Sequence, residues 1–314
     1  MKRKIIQISK NTFVVSLPTK WLKDEKLTKG DELEVNIKNK ELICTPPNAN
    51  NDIKQISLNI KEMSDQVLRW ALTAIQKKGW DEITLINYSE KHVKIIDELL
   101  NNLFIGFIIK EKRSKHLTIG EIGKVDIKEF DPSLRRAFRL LNVQIDETIK
   151  AFEKKDNSYL QEQIIHERNN NQLTNFCERI LNNNLTKKEN GHFWYVLAWN
   201  LEKISDNFKY ISEYFQGAII TISDETINIM KTLKEFIKDY YHLIYNFSFK
   251  ELNKLIKNKE SIEKEIFKQM ISEDLKHETI LLHFLHNTLF QMMDFTSTLI
   301  ALKFEGEESP YVIK

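Results

Sequence analysis

The stretch GHFWYVLAWNLEKISDNFKYISEYF, Gly191–Phe215, carries the clearest folding signal in this chain of 314 residues. Its apolar side chains recur at steps of three and four residues. They are Trp194, Leu197, Leu201, Ile204, Phe208 and Ile211. A stripe with this period lies along one side of an α-helix and is typical of the long antiparallel helices of bundles. The stretch therefore predicts one long helix with a continuous buried seam.

Similar helices are predicted across the rest of the C-terminal part. Asp131 followed by Pro132 is a strong helix-start signal, because Asp caps a helix and Pro fits its first position. Helices are predicted at 132–155, 157–184, 188–217, 224–248, 249–272 and 274–304. Each half of this region ends in a long apolar helix, which predicts two tandem three-helix bundles, at 131–217 and 222–304.

Residues 52–127 alternate between the periods of strands and helices. The segments QISLNI and DEITLIN predict strands, and FIGFIIKEKRSKHLTIGEI predicts a hairpin. One helix is bracketed by Ser64 as its cap and Gly79 at its end, and SEKHVKIIDELLNNL predicts a second helix. Strands that alternate with helices predict a small α/β domain.

Residues 1–47 have a third pattern, that of short strands. The segment NTFVVSLP predicts one strand, and DELEVNIK predicts a half-buried strand with Leu33, Val35 and Ile37 on one face. Pro18 fits the first position of a short helix between them. The proline pair at 46–47 and the Asn-rich run after it end the unit as a linker. The predicted fold class is therefore α+β, mostly α.

Composition limits the class of protein. Hydrophobic residues make up 41% of the chain, which is enough for real cores. Cys44 and Cys177 fit no metal or redox spacing, so no disulfide framework is predicted. The N-terminal segment lacks the apolar run of a secretion signal, and no stretch of about 18 uncharged apolar residues predicts a membrane helix. We expect a cytoplasmic protein without membrane insertion.

Positive charge is concentrated at the N-terminal end. No acidic side chain precedes Asp24, whereas six basic residues do: Lys2, Arg3, Lys4, Lys10, Lys20 and Lys23. Residues 1–47 hold ten basic and six acidic residues, a net charge of +4, while the whole chain carries +2. Such a cluster is either a solvated surface or a site for nucleic-acid phosphates.

The turn in this N-terminal segment resembles that of the AbrB/SpoVT/MazE swapped-hairpin family. Members carry a Pro-started short helix and then a Leu–x–x–Gly–Asp–x–hydrophobic turn, matched here by Leu27, Gly30, Asp31 and Leu33. The resemblance implies an intertwined homodimer, since so small a unit cannot build a core alone. It also implies a DNA-facing surface. The residues expected there are Lys2, Arg3, Lys4, Lys10 and Asn11.

In the helical part, Glu202 and Asp206 are four residues apart and therefore share one face of a helix. Taken alone, such a pair is usually a solvated surface. The segments HERNNNQLTNFCERIL and LAWNLEKISDNFKYISEYF, however, resemble the first repeat of the phosphate-signalling regulator PhoU. That family carries Asp/Glu–x–x–x–Asp motifs that bind metal clusters on two helices of each repeat. On the other helix here, Glu167 matches the first acid and Asn171 replaces the second.

The second repeat departs further from the motif. Lys259 stands in the first acidic position before Glu263, and Phe290 stands in the first acidic position before Asp294. We therefore expect no metal in the second bundle. In the first bundle, the resemblance implies at most one divalent or iron-type cation, held by Glu167, Glu202, Asp206 and the Asn171 carbonyl.

A swapped hairpin ahead of PhoU-like repeats is similar to the archaeal phosphate uptake regulators. The resemblance implies a dimeric, DNA-binding regulator of phosphate uptake. The alternative is an adaptor that does not bind DNA and docks on a phosphate transporter or its signalling partner. No catalytic motif is present, and the histidines at 277, 283 and 286 lack the spacing of a helical zinc-hydrolase motif. An enzyme is therefore not predicted.

Overall fold

The computed structural model describes residues 1–38, 40–46, 53–183, 190–217, 221–272 and 278–304. Helices make up 63% of the chain, so the prediction of a mostly helical α+β protein is confirmed. The chain divides into an N-terminal unit, Met1–Lys54, and a C-terminal unit, Gln55–Lys314. The predicted linker from 47 onward, the helix ends at 184, 188 and 274, and His277 lie outside the described residues.

The N-terminal unit consists of two separate antiparallel hairpins and one short helix. Its elements are β1 (Ile5–Ser9), β2 (Thr12–Val15), α1 (Thr19–Asp24), β3 (Glu34–Lys38) and β4 (Glu41–Thr45). Pro18 is the residue before the helix, one position earlier than predicted. The turn is held by Asp31, which accepts a hydrogen bond of 2.6 Å from the Thr28 amide, and by Gly30 at a φ of +103°.

None of the described residues of the N-terminal unit is buried. The prediction of a half-buried β3 is therefore wrong for the single chain, because Val35 is 53% exposed and Ile37 is 82% exposed. Apolar and polar residues alternate along β3 as predicted, but no described residue of the same chain covers its apolar face.

The C-terminal unit begins with an α/β part. Its elements are β5 (Gln55–Asn59), α2 (Asp65–Lys77), β6 (Glu82–Ile86), α3 (Glu90–Asn102), β7 (Phe107–Lys112) and β8 (His116–Glu121). The sheet has the order β5-β6-β8-β7, with β5 parallel to β6 and the other pairs antiparallel. Ser64 caps α2 and Gly79 takes a φ of +92° after it, as predicted. Leu68, Leu72 and Ile96 bury the helices against the sheet.

The helical part follows with α4 (Phe130–Lys154), α5 (Ser158–Gln161), α6 (Gln163–Asn183), α7 (Gly191–Phe215), α8 (Asp224–Tyr245), α9 (Phe249–Met270), α10 (Thr279–Asp294) and α11 (Thr296–Ala301). Helices α4, α6 and α7 contact one another, as do α8, α9 and α10. Further contacts of α4 with α8 and of α7 with α10 join both groups in one hydrophobic core. The seam of α7 is confirmed, since all its members except the half-buried Trp194 are buried.

Several predicted helix bounds are wrong: α8 ends at Tyr245 instead of residue 248, α9 ends at Met270 instead of residue 272, and three further differences have a local cause. Helix α4 begins at Phe130 instead of residue 132, because a short 3-10 turn capped by Asp126 leads into it. The predicted helix 157–184 breaks at Glu162, next to the buried Leu160 carbonyl that accepts a hydrogen bond from Ser212. The predicted helix 274–304 breaks at Phe295, which is buried against Tyr240. In the last two places tertiary contacts override a continuous helical pattern.

No helix among the described residues combines the length and the apolar character needed to cross a membrane.

Candidate functional site

The acidic residues predicted from the sequence meet where α6 and α7 pack together. Glu167 and Asn171 lie on one face of α6, and Glu202 and Asp206 lie on one face of α7. The Asn171 side chain donates a hydrogen bond of 2.8 Å to the Glu167 carboxylate. The structure therefore brings all four residues to one surface of the helical part.

Two lysines lie between these acids. The Lys209 Nζ is 2.8 Å from Glu167 and 3.0 Å from Asp206. The Lys203 Nζ is 3.4 Å from Asp206 and 3.2 Å from Glu202. Each ammonium group thus bridges two carboxylates.

Lys77 of α2 extends this series into the α/β part. Its Nζ is 3.1 Å from Glu202 and 3.1 Å from the fully buried Glu178 of α6. The result is a linear ion-pair chain of alternating charge: Glu167, Lys209, Asp206, Lys203, Glu202, Lys77 and Glu178.

Burial shifts the pKa values of several groups in the ion-pair chain. It raises the pKa of the Glu167 carboxyl, and the neighbouring Lys209 ammonium offsets only part of that effect. It raises the pKa of Glu178 in the same way. Burial by itself would lower the pKa of Lys209, but the carboxylates of Glu167 and Asp206 outweigh it and raise that pKa. Lys209 therefore stays charged at neutral pH.

The residues present do not fit a metal ion in the first bundle. Oxygens of Glu167, Glu202 and Asp206 that a cation would need already contact ammonium groups. Among the described residues, no group of three His, Cys, Asp or Glu side chains could hold a metal. Lysine ammonium groups are the counterions that this surface contains.

A lysine takes the same role in the second half of the helical part. Lys259 lies 2.7 Å from Glu263, and this hydrogen bond lowers the pKa of the Glu263 carboxyl. His286 lies 3.4 Å from the other oxygen of Glu263. Asp294 and Phe290, the remaining motif positions, are exposed on α10.

An open cleft of about 810 Å³ lies beside the ion-pair chain. Four helices line it: α2, α3, α6 and α7. On α2 the lining residues recur at helical spacing and form a single face of that helix. They are Gln66, Arg69, Trp70, Thr73, Ala74 and Lys77. The cleft is thus built jointly by the α/β part and the first group of helices.

Arg179 joins these two parts and was not predicted from the sequence. Its side chain is 1% exposed and lies 2.9 Å from Glu121 and 3.1 Å from Asp81. It also donates hydrogen bonds of 2.8 and 2.9 Å to the carbonyls of Gln76 and Trp80 at the end of α2. The one signal for it in the sequence is a charged residue within the apolar NFCERIL segment.

The predicted DNA-contacting residues are all exposed, but one hairpin does not bring them together. Arg3 and Lys4, like Lys2, precede β1, whereas Lys10 and Asn11 form the turn between β1 and β2. The five residues of β1 separate the two groups by about 17 Å, at about 3.4 Å per residue. None of the four basic side chains forms an ion pair with any residue that the structure describes.

Comparisons of this chain with models of protein families, with curated proteins and with solved structures find no match.

Proposed function

We propose that the protein is a dimeric, DNA-binding regulator of phosphate uptake. In this proposal residues 1–47 form a swapped-hairpin dimer that contacts DNA. Helices α4, α6 and α7 form one PhoU-like bundle (131–217), and α8, α9 and α10 form a second one (222–304). The bundles and the α/β domain at 52–127 act as the sensor or as the docking surface for a partner.

The observation that carries the proposal is the missing core of the N-terminal unit. Large apolar side chains are exposed on all four of its strands. Examples are Ile5, Ile8, Phe13, Val35, Ile37 and Leu42. A unit of this size with so much exposed apolar surface needs another surface to fold stably. A second copy of the same hairpins offers a self-complementary one.

Dimerisation would also supply enough positive charge for DNA. Each protomer contributes Arg3, Lys4 and Lys10 without internal ion pairs among the described residues, so a dimer carries six free cations. Neutralising phosphates with such cations releases counterions and gives most of the affinity in non-specific DNA binding. Sequence preference would then come from few side chains, such as Asn11, or from DNA shape.

The test is DNA binding by the full-length protein, over a salt series, to a pool of upstream fragments from its own genome. We expect one fragment to be preferred and binding to fall steeply with salt. The variant Arg3→Ala/Lys4→Ala/Lys10→Ala should lose most of this binding while remaining dimeric. Six lost phosphate contacts per dimer would reduce the salt slope by about 5.

A matched control removes the same charge elsewhere. Lys94→Ala/Lys124→Ala/Lys264→Ala takes three exposed lysines from the C-terminal unit and should bind DNA like the wild type. If both variants lost DNA binding equally, net charge and not the hairpin surface would explain the loss. Unchanged binding in the hairpin variant would overturn the proposal.

An exposed aromatic cluster favours the adaptor as the second candidate function. Phe267 of α9 and Phe290 of α10 are about half exposed and lie on either side of His286, with ring centroids 4.9 and 6.3 Å from it. Exposed aromatic groups of this kind often mark protein interfaces. The adaptor predicts that Phe267→Ser/Phe290→Ser abolishes control of phosphate uptake in cells, whereas the hairpin variant leaves that control intact.

A further inference from the structure

The cleft between α2, α3, α6 and α7 has the dimensions of a ligand site. Its volume of about 810 Å³ lies within the range of about 300–1,000 Å³ that is common for small-molecule pockets. Its walls are regular helices, so the lining side chains are held on rigid supports. Glu167, Asn171, Glu202 and Asp206, the four residues of the metal hypothesis, line one side of this cleft, and the helices α2 and α3 line the other.

The charge of the lining favours an anion. Five cationic and four acidic side chains face the cleft. Three of the acids, Glu167, Glu202 and Asp206, are already neutralised within the ion-pair chain. The same pairs neutralise the three lysines, and Arg69 is paired with Glu98, so the charge of the lining that has no ion pair with a described residue is that of Arg168, a cation.

The Glu98 carboxylate occupies the position that we assign to the anionic group of the ligand. Its carboxylate lies 2.6 Å from the Arg69 guanidinium. The hydrogen bond from Arg69, with a weaker contribution from the charge of Arg168, lowers the pKa of Glu98. Arg168 is exposed and forms no ion pair with a described residue. The half-exposed carboxylate thus contacts one guanidinium group in a cleft that a second arginine also lines, and guanidinium groups are the preferred partners of a phosphate.

Aromatic rings complete the lining. Trp70 follows Arg69 on α2 and is 65% exposed, which is unusual for the largest apolar side chain. Tyr210 of α7 is also exposed and lines the same cleft. An exposed indole next to an arginine pair suits a ligand that has both a flat ring and a phosphate group.

We propose that this cleft binds a nucleotide, with the base stacked on Trp70 and the phosphates held by Arg69 and Arg168 in place of Glu98. The inference deepens the proposed function by naming the ligand of the sensor. It rests on the proposed function only for what nucleotide binding would do to the regulator. Binding itself needs no DNA.

The test is calorimetric titration of the full-length protein with ATP, AMP, inorganic phosphate and inorganic triphosphate up to about 1 mM. We expect ATP to bind and inorganic phosphate to bind more weakly. Trp70→Ala should weaken ATP binding about tenfold through lost stacking. Arg168→Ala should weaken it about tenfold or more through a lost charge-assisted contact.

One variant should gain affinity. Glu98→Gln removes the competing carboxylate and leaves both arginines, so we expect it to bind ATP several-fold more tightly. Matched controls are Trp199→Ala and Arg139→Ala, which remove an exposed Trp and an exposed Arg outside the cleft lining and should leave binding unchanged.

Absence of ATP binding, or equal binding by wild type, Trp70→Ala and Arg168→Ala, would overturn the proposal. So would triphosphate binding as tight as ATP and insensitive to Trp70→Ala, which would indicate a site for phosphate anions alone. The Arg3→Ala/Lys4→Ala/Lys10→Ala variant separates this proposal from the DNA-binding one, because it should lose DNA and bind ATP like the wild type.

Discussion

The two units of this chain treat apolar and charged side chains in opposite ways. In the N-terminal unit no described residue is buried, and the exposed basic side chains of Lys2, Arg3, Lys4 and Lys10 form no ion pair with a described residue. The C-terminal unit buries a continuous helical core and also fully covers charged groups such as Arg179 and Glu178. The N-terminal unit thus leaves its apolar side chains exposed in the single chain, whereas the C-terminal unit buries its apolar core and several of its charged groups.

This contrast indicates where partners act. A charged group costs free energy to bury unless partners surround it, so the covered ion pairs of the C-terminal unit require a well-defined fold. Exposed apolar strands are equally costly in water, which favours association of the N-terminal unit. We therefore infer that substitutions of the covered charged groups in the C-terminal unit act on folding and that substitutions of the exposed apolar strand residues in the N-terminal unit act on assembly.

The strongest way to break the fold of the C-terminal unit is Arg179→Met. The change leaves Glu121 buried without its partner and removes two hydrogen bonds to the end of α2. We expect a loss of about 3–5 kcal/mol in the free energy of unfolding, measured by denaturant titration. Arg168→Met is the control and should stay within about 0.5 kcal/mol of the wild type. A small effect of Arg179→Met would show that the α/β part does not depend on this contact.

Assembly is tested by Val35→Asp/Ile37→Asp. Charges on the apolar face of β3 should raise the dissociation constant of the proposed dimer by about 100-fold or more, since each partner contributes both substitutions. Sedimentation measures this shift, and the unfolding of the C-terminal unit should not change. Ile122→Asp, at another exposed isoleucine, should leave the oligomeric state as it is. A wild-type protein that sediments as a monomer would contradict the inference.

Lys209→Met tests the ion-pair chain. It leaves Glu167 and Asp206 without their shared ammonium group, and we expect a loss of about 2–3 kcal/mol at pH 7–8. The loss should shrink toward acid pH, because protonation of Glu167 removes the unpaired charge. Thermal unfolding over a pH series measures this loss of stability. Lys264→Met, which changes an exposed lysine, is the control.

Addition of metal ions to the wild type separates lysine from metal as the counterion. If Glu167, Glu202 and Asp206 held a cation, added Mg²⁺, Mn²⁺, Fe²⁺ or Zn²⁺ would raise the melting temperature of the wild type. With the ammonium groups in place, we expect no change. Stabilisation by metal in the wild type would restore the metal hypothesis.

The smallest effect is expected for Glu178→Gln. Burial raises the pKa of Glu178 in the folded state, so its contribution to stability is greatest below the pKa of the unfolded chain and falls as pH rises through the folded pKa. Gln cannot ionise, and Lys77 keeps its contact with Glu202. The variant should match the wild type in acid and be more stable by about 1 kcal/mol near pH 8. Destabilisation near pH 8 would show that the Lys77–Glu178 pair is favourable.

Much of the fold follows from local patterns. The apolar seam of α7, the cap at Ser64 and the turn at Gly79 were predicted because each depends on spacing within one element. That Glu202 and Asp206 lie on one helix face also followed from their four-residue spacing, whereas Glu167 was predicted only from the family resemblance. The lysines that pair with these acids were not predicted. Lys209 lies close in sequence to Asp206, but Lys77 is 125 residues from Glu202.

The sequence by itself determined the order of strands and helices, the apolar face of each element and the concentration of positive charge near the N-terminus, because these depend on neighbouring residues. Only the tertiary structure decided that lysines lie between the acids, that Arg179 joins the α/β part to α6, and that four helices line a cleft. Those features depend on residues far apart in the chain, which meet only after the cores of the C-terminal unit have packed.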